Sequence, residues 1–174
     1  MRISYSFKFG CILIPLIILF IAGCGKYANL SWTEVLERGK KIRADTSIPA
    51  QERFIRAEEI YLIALDKLEK ALGREPVRTN DMRELFGEIE TIFRTQNKHV
   101  ELEPILKKKI NIYTKYLGQN KMLTGAAHEN LGHLYKKLGS KQAATDEYRE
   151  AMKVYQNNKR DKAVEKMRKL ISAL

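Results

Sequence analysis

The side chains with chemistry to offer in this 174-residue chain are three histidines, two cysteines and a long series of lysines and carboxylates. The densest grouping is His128-Glu129-Asn130-Leu131-Gly132-His133. Two helical histidines can share a zinc ion at i and i+4, roughly 40° apart around the axis. Here they stand at i and i+5, roughly 140° apart, and face different directions, so no metal site is expected. His99 stands alone in the sequence. No nucleophile elbow, Ser-His-Asp grouping or phosphate-cradling glycine loop accompanies them. The chain reads as a protein that is not an enzyme and needs no cofactor.

The cysteines point elsewhere. Two of them can build neither a disulfide-stapled miniprotein nor a four-thiolate zinc site. Cys24 closes an N-terminal segment in which Arg2 and Lys8 precede an almost wholly apolar run from Phe9 to Ile21. This is the charged and then apolar layout of a secretory signal. Its end, Ile21-Ala22-Gly23-Cys24, resembles the lipobox of bacterial lipoproteins. The resemblance implies removal of residues 1–23 as a signal peptide and lipidation of Cys24 as the new N-terminus. Residues 24–30 would then be the lipidated cysteine and a short linker, and residues 31–174 the folded domain. An uncleaved membrane helix is the alternative. The 15 residues from Phe9 to Gly23 fall below the roughly 17–25 that spanning needs, and Pro15 interrupts them. Gly25 follows the cysteine where an Asp is linked to inner-membrane retention, so the resemblance favours the outer membrane of a Gram-negative cell, facing the periplasm.

Charge is divided unevenly. Lys+Arg number 32 against 21 Asp+Glu, a formal net charge of +11. Residues 24–97 carry 13 bases and 13 acids, whereas residues 98–174 carry 17 bases and 8 acids. A surplus of this kind suits an anionic partner. For an exported protein that partner would be an envelope polymer, a lipid or an acidic protein, and nucleic acid is not expected. A solvated helix face is the plain alternative.

The chain also repeats itself. Ala57-Glu58-Glu59-Ile60-Tyr61-Leu62-Ile63-Ala64-Leu65, Leu102-Glu103-Pro104-Ile105-Leu106-Lys107-Lys108-Lys109-Ile110 and Ala144-Thr145-Asp146-Glu147-Tyr148-Arg149-Glu150-Ala151-Met152 align, starting 45 and then 42 residues apart. The first two run on to Leu72-Gly73 and Leu117-Gly118. Ahead of the last two lie Phe86-x-x-Ile89-Glu90-x-x-Phe93 and His128-x-x-Leu131-Gly132-x-x-Tyr135. Together these segments resemble the tetratricopeptide repeat, in the longer variant found in kinesin light chains. Residues 124–156 form the clearest copy, although Gln156 stands where the closing proline belongs. The resemblance implies an all-α fold: a short right-handed α-solenoid of about three helix pairs plus a C-terminal capping helix.

The periodicity supports those helices independently. His128, Leu131, Leu134, Tyr135 and Leu138 fall within a stripe of about 120°. Gly132 and Ala144 are small where paired helices must approach, and Tyr148 and Tyr135 are large enough to fill the gap beside them. Gly139 supplies the turn. Seven helices are expected, at about 32–44, 51–72, 81–94, 100–117, 125–137, 141–155 and 159–173. The first carries Ser31 and Glu34 at capping-box spacing, and a loop of unusual length containing Pro49 follows it. The last places Ala163, Met167, Leu170, Ile171 and Leu174 on one side, as a capping helix needs.

The resemblance further implies a partner-binding groove on the polar sides of the first helices of each pair. Those sides offer Glu37, Lys40 and Lys41; Gly87, Thr91, Arg94 and Thr95; and Glu129, His133, Lys136 and Lys137. The basic clamp of chaperone-binding members is not reproduced, since Thr33, Gly87 and Glu129 stand where it would begin. Two functions compete. One is a lipid-anchored scaffold or adaptor holding an envelope protein, and the other is a binder of anionic envelope polymer or lipid through the basic C-terminal half.

Overall fold

A computed structural model describes residues 25–174, and over them the protein is all-α. Residues 1–24, where the signal peptide and the lipidated Cys24 are expected, lie outside the described residues. Seven helices follow in order among them: α1 (Trp32–Ala44), α2 (Ala50–Ala71), α3 (Thr79–Thr95), α4 (His99–Tyr116), α5 (Met122–Lys137), α6 (Lys141–Asn157) and α7 (Asp161–Ser172). None is long and apolar enough to cross a membrane. Their limits lie within three residues of those read from periodicity, because local signals set them. Ser31 and Glu34 form the expected capping box, with the Glu34 amide donating to Ser31 Oγ at 3.2 Å and the Ser31 amide donating to Glu34 Oε2 at 2.7 Å.

Three helix ends share one device. Gly139 follows α5 at φ 77°, and the Ser140 and Gly139 amides donate back to the Tyr135 and Lys136 carbonyls at 2.9 and 3.1 Å. This is a Schellman motif, and the left-handed residue that it requires is usually glycine. The same pair of bonds ends α3 around Asn97 and α6 around Lys159, which hold φ of 56° and 54° without being glycine.

The described residues form two compact units, one ending at Ile92 and the other Phe93–Leu174. In the first, α1 and α2 are an antiparallel pair. A Cβ added to Gly39 would lie 2.3 Å from the Tyr61 ring, so the helices meet where one side chain is missing and a large one fills the space. Ala57, Tyr61 and Ala64, the small-large-small triplet of the first repeat segment, are all fully buried. The pair also holds the residues before it. Tyr27 is buried, and Lys67 of α2 donates to the carbonyls of Ala28 and Leu30 at 3.0 and 2.8 Å. The segment expected to be a plain linker is therefore docked on the fold from Tyr27 onward, because an aromatic ring and two orphan carbonyls find partners there.

In the second unit α4, α5, α6 and α7 each pack on the next, the neighbour-only pattern of a solenoid. A Cβ on Gly132 would lie 2.6 Å from the Tyr148 ring, which is the close approach expected between these helices. Gly125 makes a second one, 2.9 Å from Val154 by the same measure. Ala144, Tyr148, Ala151 and Tyr155 of α6 form a core cluster with Val164 and Met167 of α7. Ala163, Leu170, Ile171 and Leu174 pack against it, so α7 covers the apolar side of α6 as a cap. Leu138 departs from expectation. The periodicity puts it on the apolar stripe of α5, but the helix ends at Lys137, and Leu138 turns outward as the C-cap, 36% exposed.

Candidate functional site

Charge pairing places the polar residues of α1. Lys40 donates to Glu37 at 2.9 Å along its own helix and to Glu84 of α3 at 2.5 Å. The bond to Glu84, and then that to Glu37, hold its ammonium well above the ordinary lysine range. One turn further on, the Arg43 guanidinium forms an ion pair with Glu88 of α3, donating from Nη2 to Oε1 at 3.1 Å with Nε 2.7 Å from the other oxygen. Tyr61 of α2 donates to the same carboxylate at 2.8 Å, and burial, then Glu88, push its phenol upward. Three helices therefore converge on Glu88.

Above this ladder α1 and α3 enclose an open recess of about 510 Å³, with Glu37, Arg38 and Lys41 on one wall and Arg78, Asp81 and Glu84 on the other. Arg78 and Asp81 pair at 2.8 Å. The recess brings together Glu37 and Lys41 from the expected groove, with Lys40 bridging beside them. Gly87 is exposed, a Cβ there would meet nothing within 4 Å, and its carbonyl receives the Thr91 hydroxyl at 2.8 Å. Arg94 and Thr95 fall at the C-terminal end of α3, in the second unit.

The α5 residues have other employment. Glu129 accepts from Tyr155 of α6 at 2.7 Å and from Lys166 of α7 at 2.5 Å, with His133 Nε2 at 3.5 Å. The His133 bond, with the closer Lys166 and Tyr155, outweighs burial and holds this carboxyl down at about 2. His133 presents Nδ1 to the Tyr148 hydroxyl at 2.9 Å, so the tautomer with hydrogen on Nε2 satisfies both neighbours. Glu129 and His133 thus tie α5 to α6 and α7 within the fold. His128 turns away from them and pairs with Glu147 at 2.7 Å. Lys136 and Lys137 are exposed in the last turn of α5.

Arg38, Arg78, Asp81, Glu84 and Glu88 were not anticipated as groove residues. A signal for two of them exists: Lys40 and Arg43 on α1 lie about one turn apart, as Glu84 and Glu88 do on α3, and the repeat register makes first helices neighbours. Compared with models of known families the chain matches none, and no curated protein matches it.

Proposed function

We propose that this protein is a scaffold or adaptor, lipid-anchored through Cys24 and facing the periplasm, that holds an envelope protein through its helix-pair array. The recess between α1 and α3 carries the reading. Its walls alternate donors and acceptors, Arg38, Lys41 and Arg78 against Glu37, Asp81 and Glu84, which suits an extended polypeptide bearing both signs of charge. The anchor rests on the lipobox resemblance, and Gly25 after the cysteine favours the outer membrane. In vivo crosslinking and pull-down from solubilised envelopes test the proposal, comparing the parent with an Arg38→Glu, Lys41→Glu variant. A discrete protein captured by the parent at high salt and lost with the variant is expected. Equal capture by both would remove the recess from the reading.

A second reading, that the basic half binds an anionic envelope polymer or lipid, has its own support. The second unit carries all 17 of the bases that outnumber 8 acids after residue 97, and its Lys136, Lys137, Lys141, Lys159 and Arg160 are exposed. Binding of this kind falls steeply with salt, since exposed charges are screened within about 8 Å at physiological ionic strength.

A further inference from the structure

One end of the second unit gathers side chains that no part of the adaptor recess uses. α4 and α5 run antiparallel, with the Tyr135 hydroxyl donating to Glu103 at 2.9 Å. Three residues beyond Tyr135 lies Leu138, and three residues before Glu103 lies Val100, so both leave the unit at the same end. Val100 is 68% exposed and Leu138 36%, two of the four large apolar side chains exposed among the described residues. The turn at Gly139 and Ser140 returns the chain at once into α6, whose first residue is Lys141. Lys136, Lys137 and Lys141 therefore flank Leu138, all exposed. Among the described residues no carboxylate pairs with any of the three, and α6 has no acid in its first turn. The acids near this end are Glu101, in the first turn of α4, Glu103, which is engaged by Lys107 and Tyr135, and Asp146, which is engaged by Gln142 and Arg149.

We infer that this end docks on an anionic lipid surface, with Lys136, Lys137 and Lys141 at headgroup phosphates and Val100 and Leu138 entering the interface between headgroups and acyl chains. The inference rests on the second reading above and names its partner. Lysines alone would suit any polyanion. A pair of exposed apolar side chains beside them gains free energy where an apolar phase lies directly beneath the charged layer, which a membrane provides and a soluble polymer does not. The arrangement also suits the reach of lysine, whose apolar stem can lie along the interface while its ammonium stays at the phosphates. Each lysine favours the docked state by roughly fivefold at an anionic surface, so three together hold it by on the order of a hundredfold.

The test uses the full chain reconstituted in vesicles whose lipids carry bromine on the acyl chains, which quenches tryptophan at the interface. Trp32 is the one native tryptophan and is buried, so Leu138→Trp reports on this end and Gln156→Trp on the opposite end of α6. Quenching of Leu138→Trp in vesicles containing phosphatidylglycerol, reversed by high salt and absent in pure phosphatidylcholine, is expected. Adding Lys136→Glu, Lys137→Glu and Lys141→Glu should abolish it, and the three corresponding Lys→Arg changes should keep it. Circular dichroism of each variant establishes that the fold is intact. Equal quenching in both lipids, equal quenching of Gln156→Trp, or none at Leu138→Trp would overturn the inference. Binding of soluble heparin without quenching would also overturn it while leaving the second reading standing.

Discussion

At the scale of single residues, two glycines in comparable helix interiors should respond to alanine in opposite senses. The Cβ of Gly132→Ala would sit 2.6 Å from the buried Tyr148 ring, so overpacking of about 1–3 kcal/mol exceeds the helix-propensity gain of about 1 kcal/mol. Urea unfolding should show a loss of stability. Gly87→Ala meets open space and should stabilise by about 0.5–1 kcal/mol, and a loss there would mean that something covers this face. Glu129 makes a prediction in pH. Its carboxyl is held down at about 2 in the fold against an ordinary value of 4.5, so the stability that it confers is present above the ordinary value and disappears as pH falls toward about 2. The span corresponds to on the order of 2–3 kcal/mol for this half-buried group. Acid titration of unfolding free energy should show the decline, and Glu129→Gln should be less stable at neutral pH with a flatter profile.

At the scale of elements, the turns and the cap offer separate tests. Asn97 and Lys159 hold left-handed backbone that costs a residue with a Cβ about 1 kcal/mol. Lys159→Gly should therefore raise stability by about 0.5–1 kcal/mol, read from the denaturant midpoint. Gly139→Ala should lower it by a similar amount, because the same motif there already has its preferred residue. Met167 is the fully buried side chain by which α7 covers Tyr148 and Tyr155, so Met167→Ala should cost about 2–4 kcal/mol. Hydrogen exchange in that variant should rise in α6 and α7 before it rises in α1 and α2. Uniform acceleration would contradict the neighbour-only packing of the solenoid.

At the scale of the whole molecule, charge and anchoring are the properties to measure. The acids and bases of residues 24–97 balance, whereas residues 98–174 carry a surplus of nine bases. Salt should accordingly weaken interactions of the second unit more than those of the recess on α1 and α3, where opposite charges already pair across 2.5 and 2.8 Å. Cys24→Ser tests the proposed anchor: mass spectrometry of the membrane fraction should find an acylated chain beginning at Cys24 in the parent and an unprocessed chain in the variant. An unmodified Cys24 in the parent would remove the lipid anchor from the proposal.

Helix positions, the capping box, the turn at Gly139, the Gly132–Tyr148 contact and the covering role of α7 were legible in the sequence, because each depends on neighbours within one or two helices. Spacing also hid one instance of the same contact. Gly39 meets Tyr61 as Gly132 meets Tyr148, but the long loop after α1 lengthens the interval from 16 to 22 residues, so alignment at fixed period passes it by. Sequence could name Glu129 and His133 as polar residues on a first helix. It could not tell that Tyr148, Tyr155 and Lys166 would engage them, since those bonds span up to 37 positions. The same holds for Tyr27 and Lys67, which turn a nominal linker into part of the fold, and for Leu138, whose stripe continues past the end of its helix. Local periodicity determined which residues form helices. Which polar side chains are spent within the fold and which are left exposed was decided by long-range packing, because pairing depends on which helix ends are brought together.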